Sequence, residues 1–285
     1  MAAGGRGPGR QTTAAAREWA AMVDAEHAQT ARLREAPRQE DAWRGRAGEF
    51  RPHCRAEERD PAIDAVLEHV RPDDTVIDIG AGGGRIAIPV ARHCRQVVAV
   101  EPSGAMRSQL EAQAAGAGVG NIMIVPSTWE DAAVEPADIV LCCHVLYAVR
   151  EPELWVRKMA AKARRRVIVV MFHRPVPPNM HPLWEPVYGE KRLQLPAMAH
   201  FERLLQEMGI RYRKRMLPER EDRAYPDFDA ALERAARHLY LLPGSSRYRR
   251  LEQVLKESLV ETPGGLQLRW AQPMTPGLIT WTTGR

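Results

Sequence analysis

The sequence predicts an α/β protein built on a doubly wound, mostly parallel sheet with helices on both faces. Three observations lead there. Short runs rich in β-branched residues recur between residues 75 and 172, helical stretches separate them, and a turn with four glycines in five positions follows the first run. Strands buried on both faces read as continuous apolar runs rather than alternating ones, and their alternation with helices indicates parallel crossovers.

Residues 1–16 are mostly Gly, Ala, Arg and Thr without apolar period, and are expected to form a disordered tail. Residues 17–57 read as a helical segment with Trp19, Met22 and Val23 as its stripe, and its later part carries Trp43 and Phe50. From Asp60 the signals become regular. Asp60 and Pro61 make an N-cap and first turn, and Ile63, Val66, Leu67 and Val70 share one helical face. "TVIDI" (75–79) is the first strand, the glycines turn the chain, and "RIAIPVARH" is helical. "QVVAVE" (96–101) is the second strand, and Ser103 caps the helix "GAMRSQLEAQAA". "NIMIVP", "ADIVLCC" (137–143) and "RRVIVVMF" (165–172) are the third to fifth strands, with a helix around "PELWVRKMAAKA". A helix over "AMAHFERLLQEMG" ends at Gly209, and "IRYRKRML" is the sixth strand. Helices at about 227–242 and 247–260 form an insertion over about 218–262, and "LQLRW" and "LITWTT" close the chain as strand-like segments.

The bounds agree with an ordinary globular enzyme or binding domain. At 285 residues the chain can bury a full core, and 45% apolar with 27% charged residues is unexceptional. No apolar run approaches the ~20 residues of a membrane span. "MAAGGRGPGR" has no apolar stretch behind its basic residues, so no signal peptide is expected. Cys54, Cys94, Cys142 and Cys143 show no C-x-x-C spacing and read as reduced thiols, which suggests a cytoplasmic protein. No metal site is expected. A net charge of +5 permits an acidic partner without requiring one.

In such folds ligands bind beyond the carboxyl ends of the strands, which places "VIDIGAGGGR" (76–85) at the site. A P-loop needs a Lys-Ser or Lys-Thr after its glycines, and none follows. A dinucleotide fingerprint starting at Gly80 fails because position 85 is Arg, and Asp78 would oppose a pyrophosphate. An acid beside bare backbone suits instead a cationic ligand that approaches closely.

The stretch resembles the first motif of the class I S-adenosylmethionine-dependent methyltransferases, an apolar strand and an acid followed by G-x-G-x-G, here Gly80, Gly82 and Gly84 around Ala81. The resemblance implies a seven-stranded Rossmann-like sheet, over about residues 60 to 215 plus the closing strand, and S-adenosyl-L-methionine as cofactor. It further implies that Asp78 serves the cationic end and that Glu101, followed by Pro102, takes the ribose hydroxyls. A carboxylate's two oxygens can accept from both. Met106 is similar to the apolar residue that lies against adenine. "PSTWED" is similar to the adenine loop, with Thr128, Trp129 and Glu130 as candidates; which of them meets the adenine amino group is left open. "ADIVLCCHVLYAV" is similar to the fourth motif, which brings His144 beside the cofactor.

The protein's part in methyl transfer is alignment, desolvation and in some cases a base. Candidate bases are His144 and Tyr147 after the fourth strand and His173 after the fifth, each with packing or capping as the plainer role. The family commonly places a lid before its core, so residues 17–57 are expected to form one, with Trp43, Phe50 and Arg51 as candidates to face the acceptor and packing as the plainer role of Trp43 and Phe50. Trp184 and Tyr188 could line the pocket or equally pack in the core. The fourth motif lacks the [D/N]-P-P-[Y/F/W] pattern of enzymes that methylate base or glutamine amines, which favours a small-molecule acceptor. Two alternatives stand beside it: an RNA-modifying methyltransferase, suggested by "AKARRR", "RYRKR" and "RYRR", and a non-catalytic nucleotide-binding module.

Overall fold

The computed structural model describes residues 12–38, 41, 43, 60–177, 179–222 and 224–283. Its centre is strand β1 (Thr75–Ile79), flanked by β2 (Gln96–Val100) and β4 (Ala137–Cys143). β3 (Ile122–Val125) lies outside β2, and β5 (Ala163–Phe172) lies outside β4. All five are parallel. β6 (Arg213–Met216) is the far edge, and β7 (Leu259–Thr262) and β8 (Gly265–Leu268) pair separately with each other. The last strand, β9 (Pro276–Thr282), runs antiparallel between β5 and β6, giving the order β3-β2-β1-β4-β5-β9-β6. Successive crossovers leave β1 in opposite directions, so a crevice opens beyond the carboxyl ends of β1 and β4.

Side chains alternate between the two faces of the sheet, and each face has its own core. On one side Ile77, Ile79, Val140, Val167, Ile279 and Trp281 pack against α1 (Ala14–Leu33), α5 (Pro152–Lys162) and α7 (Met198–Glu207). On the other, Val76, Val97, Ile139, Leu141 and Ile168 meet α2 (Pro61–Leu67), α3 (Ala87–Ala91) and α4 (Gly104–Gly116). A third cluster joins Leu33 to α6 (Trp184–Tyr188), α8 (Phe228–His238), α9 (Ser246–Ser258) and Leu268. Trp184 and Tyr188, candidates for pocket wall or core, lie against each other at a 35° tilt with centroids 4.4 Å apart in this cluster.

Two expectations need correction. The tail boundary at residue 16 falls inside α1: Thr13 is the N-cap, its hydroxyl accepts from the Ala16 N–H, and Ala15 and Ala16 are buried. α1 is part of the main core rather than a cover over it. Its Trp19 is fully buried, donates through Nε1 to Val149 O at 2.8 Å, and meets Phe201 edge-on. "LQLRW" is strand-like as expected over Leu266–Leu268, in β8, which pairs with β7 across a Pro263-Gly264 turn and apart from the main sheet. Phe50, Arg51 and Cys54 lie outside the described residues.

Candidate functional site

The glycine turn starts where β1 ends. The Gly80 N–H donates to Val100 O at 2.8 Å, which ties the turn to the end of β2. Gly80, Gly82 and Gly84 all have positive φ, a region that side chains with a Cβ enter only with strain. Their surroundings differ. A Cβ on Gly80 would strike Val145, and one on Gly84 would strike Leu110 and Ile88. One on Gly82 would meet only Met106 Sδ at 3.9 Å and Gly80 O at 4.0 Å. Gly80 and Gly84 are therefore needed for packing, and Gly82 leaves an approach open beside Met106. Ala81 is buried against the second core face.

Glu101 closes the turn from the β2 side. Its Oε2 accepts from the Gly82 N–H and its Oε1 from the Ser103 N–H, both at 2.8 Å. Burial raises its pKa, and those two N–H groups oppose the rise. Each oxygen keeps lone-pair capacity for a further donor. Pro102 is exposed beside it, and Met106 is buried, its N–H donating to the capping Ser103 hydroxyl.

Asp78 is an unsatisfied group of the site. It is buried, and its Oδ2 has no hydrogen-bond partner. Burial raises its pKa to about 7, with Arg85 opposing and Glu101 reinforcing the shift. A buried carboxylate oxygen without a donor is costly and calls for a cation or a donor from a ligand. Arg85 does not fill that place. Its guanidinium pairs with the Asp60 carboxylate and donates to Cys143 Sγ at 3.2 Å. Sequence reading passed over Arg85 because its partner is the cap of α2, 25 residues earlier.

The segment after β3 departs from expectation. Trp129 is packed in the first core, under the Lys158 ammonium. The Glu130 carboxylate accepts from Trp155 Nε1 at 2.7 Å, and the Thr128 hydroxyl donates to Asp131 at 3.0 Å. The Trp129 indole is thus a core side chain, and Thr128 and Glu130, both exposed, hydrogen-bond to neighbours within the protein.

His144 and Tyr147 come together beyond β4. The His144 Nδ1 lies 2.9 Å from Tyr147 Oη, its ring stacks on Phe172 at 4.2 Å, and its backbone N–H donates to Val170 O. Tyr147 Oη accepts from the Phe172 N–H at 2.7 Å. Burial, with Arg85 and Arg220 nearby, lowers the His144 pKa to about 3, and burial raises that of Tyr147 far above its ordinary value. Neither state suits a general base at neutral pH. His173 stands apart, exposed, with its Nδ1 3.2 Å from Thr275 O. Among the described residues no group of three His, Cys, Asp or Glu side chains is placed to hold a metal ion, and no helix is long and apolar enough to cross a membrane.

Residues 77–171, from β1 to β5, match the family model described as "Methyltransferase domain". That span resembles a methyltransferase domain. Within it, the glycine turn, Glu101 and His144 all fall inside the matched span. A protein-L-isoaspartate O-methyltransferase from Methanoregula boonei is 38% identical over 64 residues, which are 22% of this chain and 30% of that protein. The chain therefore matches less than a third of that relative's length. The YcgJ protein from Bacillus subtilis superposes with a TM-score of 0.56 at 14% identity, over 79% of this chain and 98% of that one. A putative methyltransferase from Bacillus halodurans C-125 gives 0.50 at 12% identity, over 78% and 98%. At those identities the likeness shows the fold alone, a seven-stranded sheet with helices on both faces.

Proposed function

We propose that the protein is an S-adenosylmethionine-dependent methyltransferase that transfers the methyl group to a small-molecule acceptor by in-line displacement. The observation that carries this is the unpartnered buried Asp78 carboxylate beside a glycine turn that Glu101 braces. The residues fit the cofactor: Asp78 offers an acceptor for its ammonium end, Gly82 leaves room beside Met106 for a flat group, and Glu101 has capacity for two ribose hydroxyls. When bound, the cofactor supplies an activated methyl group on its sulfonium. The chain's own residues bind and orient: Asp78 fixes the cationic end, Glu101 the sugar, and Phe172 with His144 walls the far side of the crevice. With His144 and Tyr147 in the states described, the acceptor is one that reacts without a protein base, as an amine or thiolate already deprotonated would.

An RNA acceptor is the second reading, and the placement of the basic runs weighs against it. Arg166 lies opposite Thr282 and Arg213 opposite Thr280 on β9, toward the amino ends of β5 and β6. The glycine turn is at the carboxyl end of the same sheet. On α9, Arg247 is engaged with Glu35, Arg249 with Gly244 O and Arg250 with Pro186 O. A non-catalytic binding module would hold the cofactor without turning it over.

Calorimetric titration with S-adenosylmethionine, S-adenosylhomocysteine and NAD tests the cofactor assignment. The first two should give saturable heats and NAD none; NAD binding with silence from both adenosyl compounds overturns it. Methyl incorporation from labelled cofactor into a small-molecule extract, and not into RNA, then separates the acceptor classes.

A further inference from the structure

The hydroxyl of Tyr147 lies between one donor and one acceptor. It accepts from the Phe172 N–H at 2.7 Å and lies 2.9 Å from His144 Nδ1. Tyr147 is buried in the first core, so its own proton has no water to go to. If His144 Nδ1 carried the proton, the phenol would receive two donors and its O–H would lack an acceptor. If Nδ1 is bare, the phenol and Nδ1 are both satisfied: Phe172 N–H donates to Tyr147 Oη, and the Tyr147 O–H donates to His144 Nδ1. The imidazole proton then sits on Nε2, a buried atom with no partner in the protein. We infer that Tyr147 is a positioning residue that fixes His144 as the neutral Nε2–H tautomer, so that His144 meets its ligand as a hydrogen-bond donor and not as a proton acceptor.

The surroundings hold the ring in that role. Phe172 stacks on it, the His144 backbone is in the left-handed region at φ 59°, and its N–H is bound to Val170 O. The charged groups that act on the imidazole are Arg85 and Arg220, which disfavour the imidazolium, and Asp60, which favours it. The group that Nε2–H would meet is an oxygen acceptor, either the carboxylate of the cofactor's amino-acid end or an oxygen of the methyl acceptor. This deepens the ligand-site reading above, yet its test does not depend on methyl transfer.

The full chain labelled with 15N-histidine, without cofactor, reports the tautomer directly through the nitrogen shifts of each ring. Among nine histidines, the His144 signals are those missing in His144→Gln. They should show an unprotonated Nδ1 and a protonated Nε2, unchanged between about pH 5 and 8 where an ordinary histidine titrates. Tyr147→Phe should convert His144 to a mixture of both tautomers, in a protein whose melting confirms that it is folded. A shift of Nε2 on adding S-adenosylhomocysteine assigns the acceptor oxygen to its carboxylate, and no shift assigns it to the methyl acceptor. A protonated Nδ1 in the unaltered protein overturns the inference, as does an unchanged tautomer in folded Tyr147→Phe. Should that variant not fold, the spectrum of the unaltered protein still decides. A merely structural tyrosine would not set which nitrogen carries the proton.

Discussion

The Glu101 carboxylate accepts from the Gly82 N–H at 2.8 Å, so the acid that ends β2 and the turn that ends β1 form one unit. The same carboxylate holds the Ser103 N–H, at the start of α4. Removing it should affect ligand and fold together. Glu101→Ala is expected to weaken S-adenosylhomocysteine binding by about 1.5–3 kcal/mol, the scale of hydrogen bonds to a charged group. It should also lower stability, since two backbone donors lose their acceptor. Calorimetry and urea unfolding on one sample separate the two effects, and unchanged affinity in a folded variant would remove the ribose assignment.

The glycines should divide by function. Gly82→Ala makes only ordinary van der Waals contacts and incurs mainly the left-handed backbone penalty, about 1–2 kcal/mol, yet it should lower cofactor affinity more than tenfold. Gly84→Ala places a Cβ 2.5 Å from Leu110 Cδ1 and 2.8 Å from Ile88 Cδ1, in addition to its φ of 92°. Its stability loss should be larger, about 2–4 kcal/mol, with overpacking added to the backbone term. Equal stability losses in the two variants would contradict this division.

What was legible in the sequence followed local rules. The strands β1 to β5 are apolar because helices cover both sides of the sheet, and the turn after β1 shows its glycines openly. Glu101 was readable because it ends a strand. The departures lie where distant parts of the chain decide. Trp129 sits in a loop by sequence, yet the core beside α5 takes it in. Arg85 and Asp60 form their pair only once α2 lies beside the turn. α1 showed an apolar stripe, but its partner Phe201 on α7 is far along the chain. Asp41 carried no signal at all, and the structure sets it against Ser103.

Asp78 should make both stability and binding depend on pH. Its folded pKa of about 7 exceeds the ordinary carboxyl value, so between about pH 4 and 7 the folded chain holds a proton that the unfolded chain has released. Stability without ligand therefore falls as pH rises through that window and levels above it, by an amount on the order of 4 kcal/mol. The ammonium group of S-adenosylhomocysteine favours the ionised acid. Affinity should rise with pH to a plateau above about 7, and binding at about pH 6 should release a proton, read by calorimetry in two buffers of different ionisation enthalpy. Asp78→Asn should abolish both dependences. An affinity for the ligand that does not vary between about pH 6 and 8 would contradict the role of Asp78.

The last expectation concerns how the N-terminal segment divides between core and site. Ala15, Ala16 and Trp19 belong to the main core, Thr13 caps α1, and the Ala15 N–H donates to Glu207 at 2.8 Å. Deleting residues 1–16 should therefore destabilise the protein, and Trp19→Ala should cost about 3–5 kcal/mol as a large core truncation. Beyond α1 the chain is held differently. The Glu35 and Ala36 N–H groups donate to Tyr240 O, and the Asp41 carboxylate accepts from the Ser103 hydroxyl at 2.8 Å and the Ala105 N–H at 3.1 Å. Asp41 thus caps α4 beside Glu101, and the closing role proposed for the N-terminal segment is expected here rather than in α1. Asp41→Ala should leave a folded chain with little loss of stability, because Ser103 still caps α4 through Met106. S-adenosylhomocysteine should dissociate faster from it, and hydrogen exchange over residues 35–43, slowed by ligand in the unaltered protein, should lose that protection. Identical dissociation rates, together with exchange that ligand does not slow in either protein, would leave Asp41 as a helix cap alone.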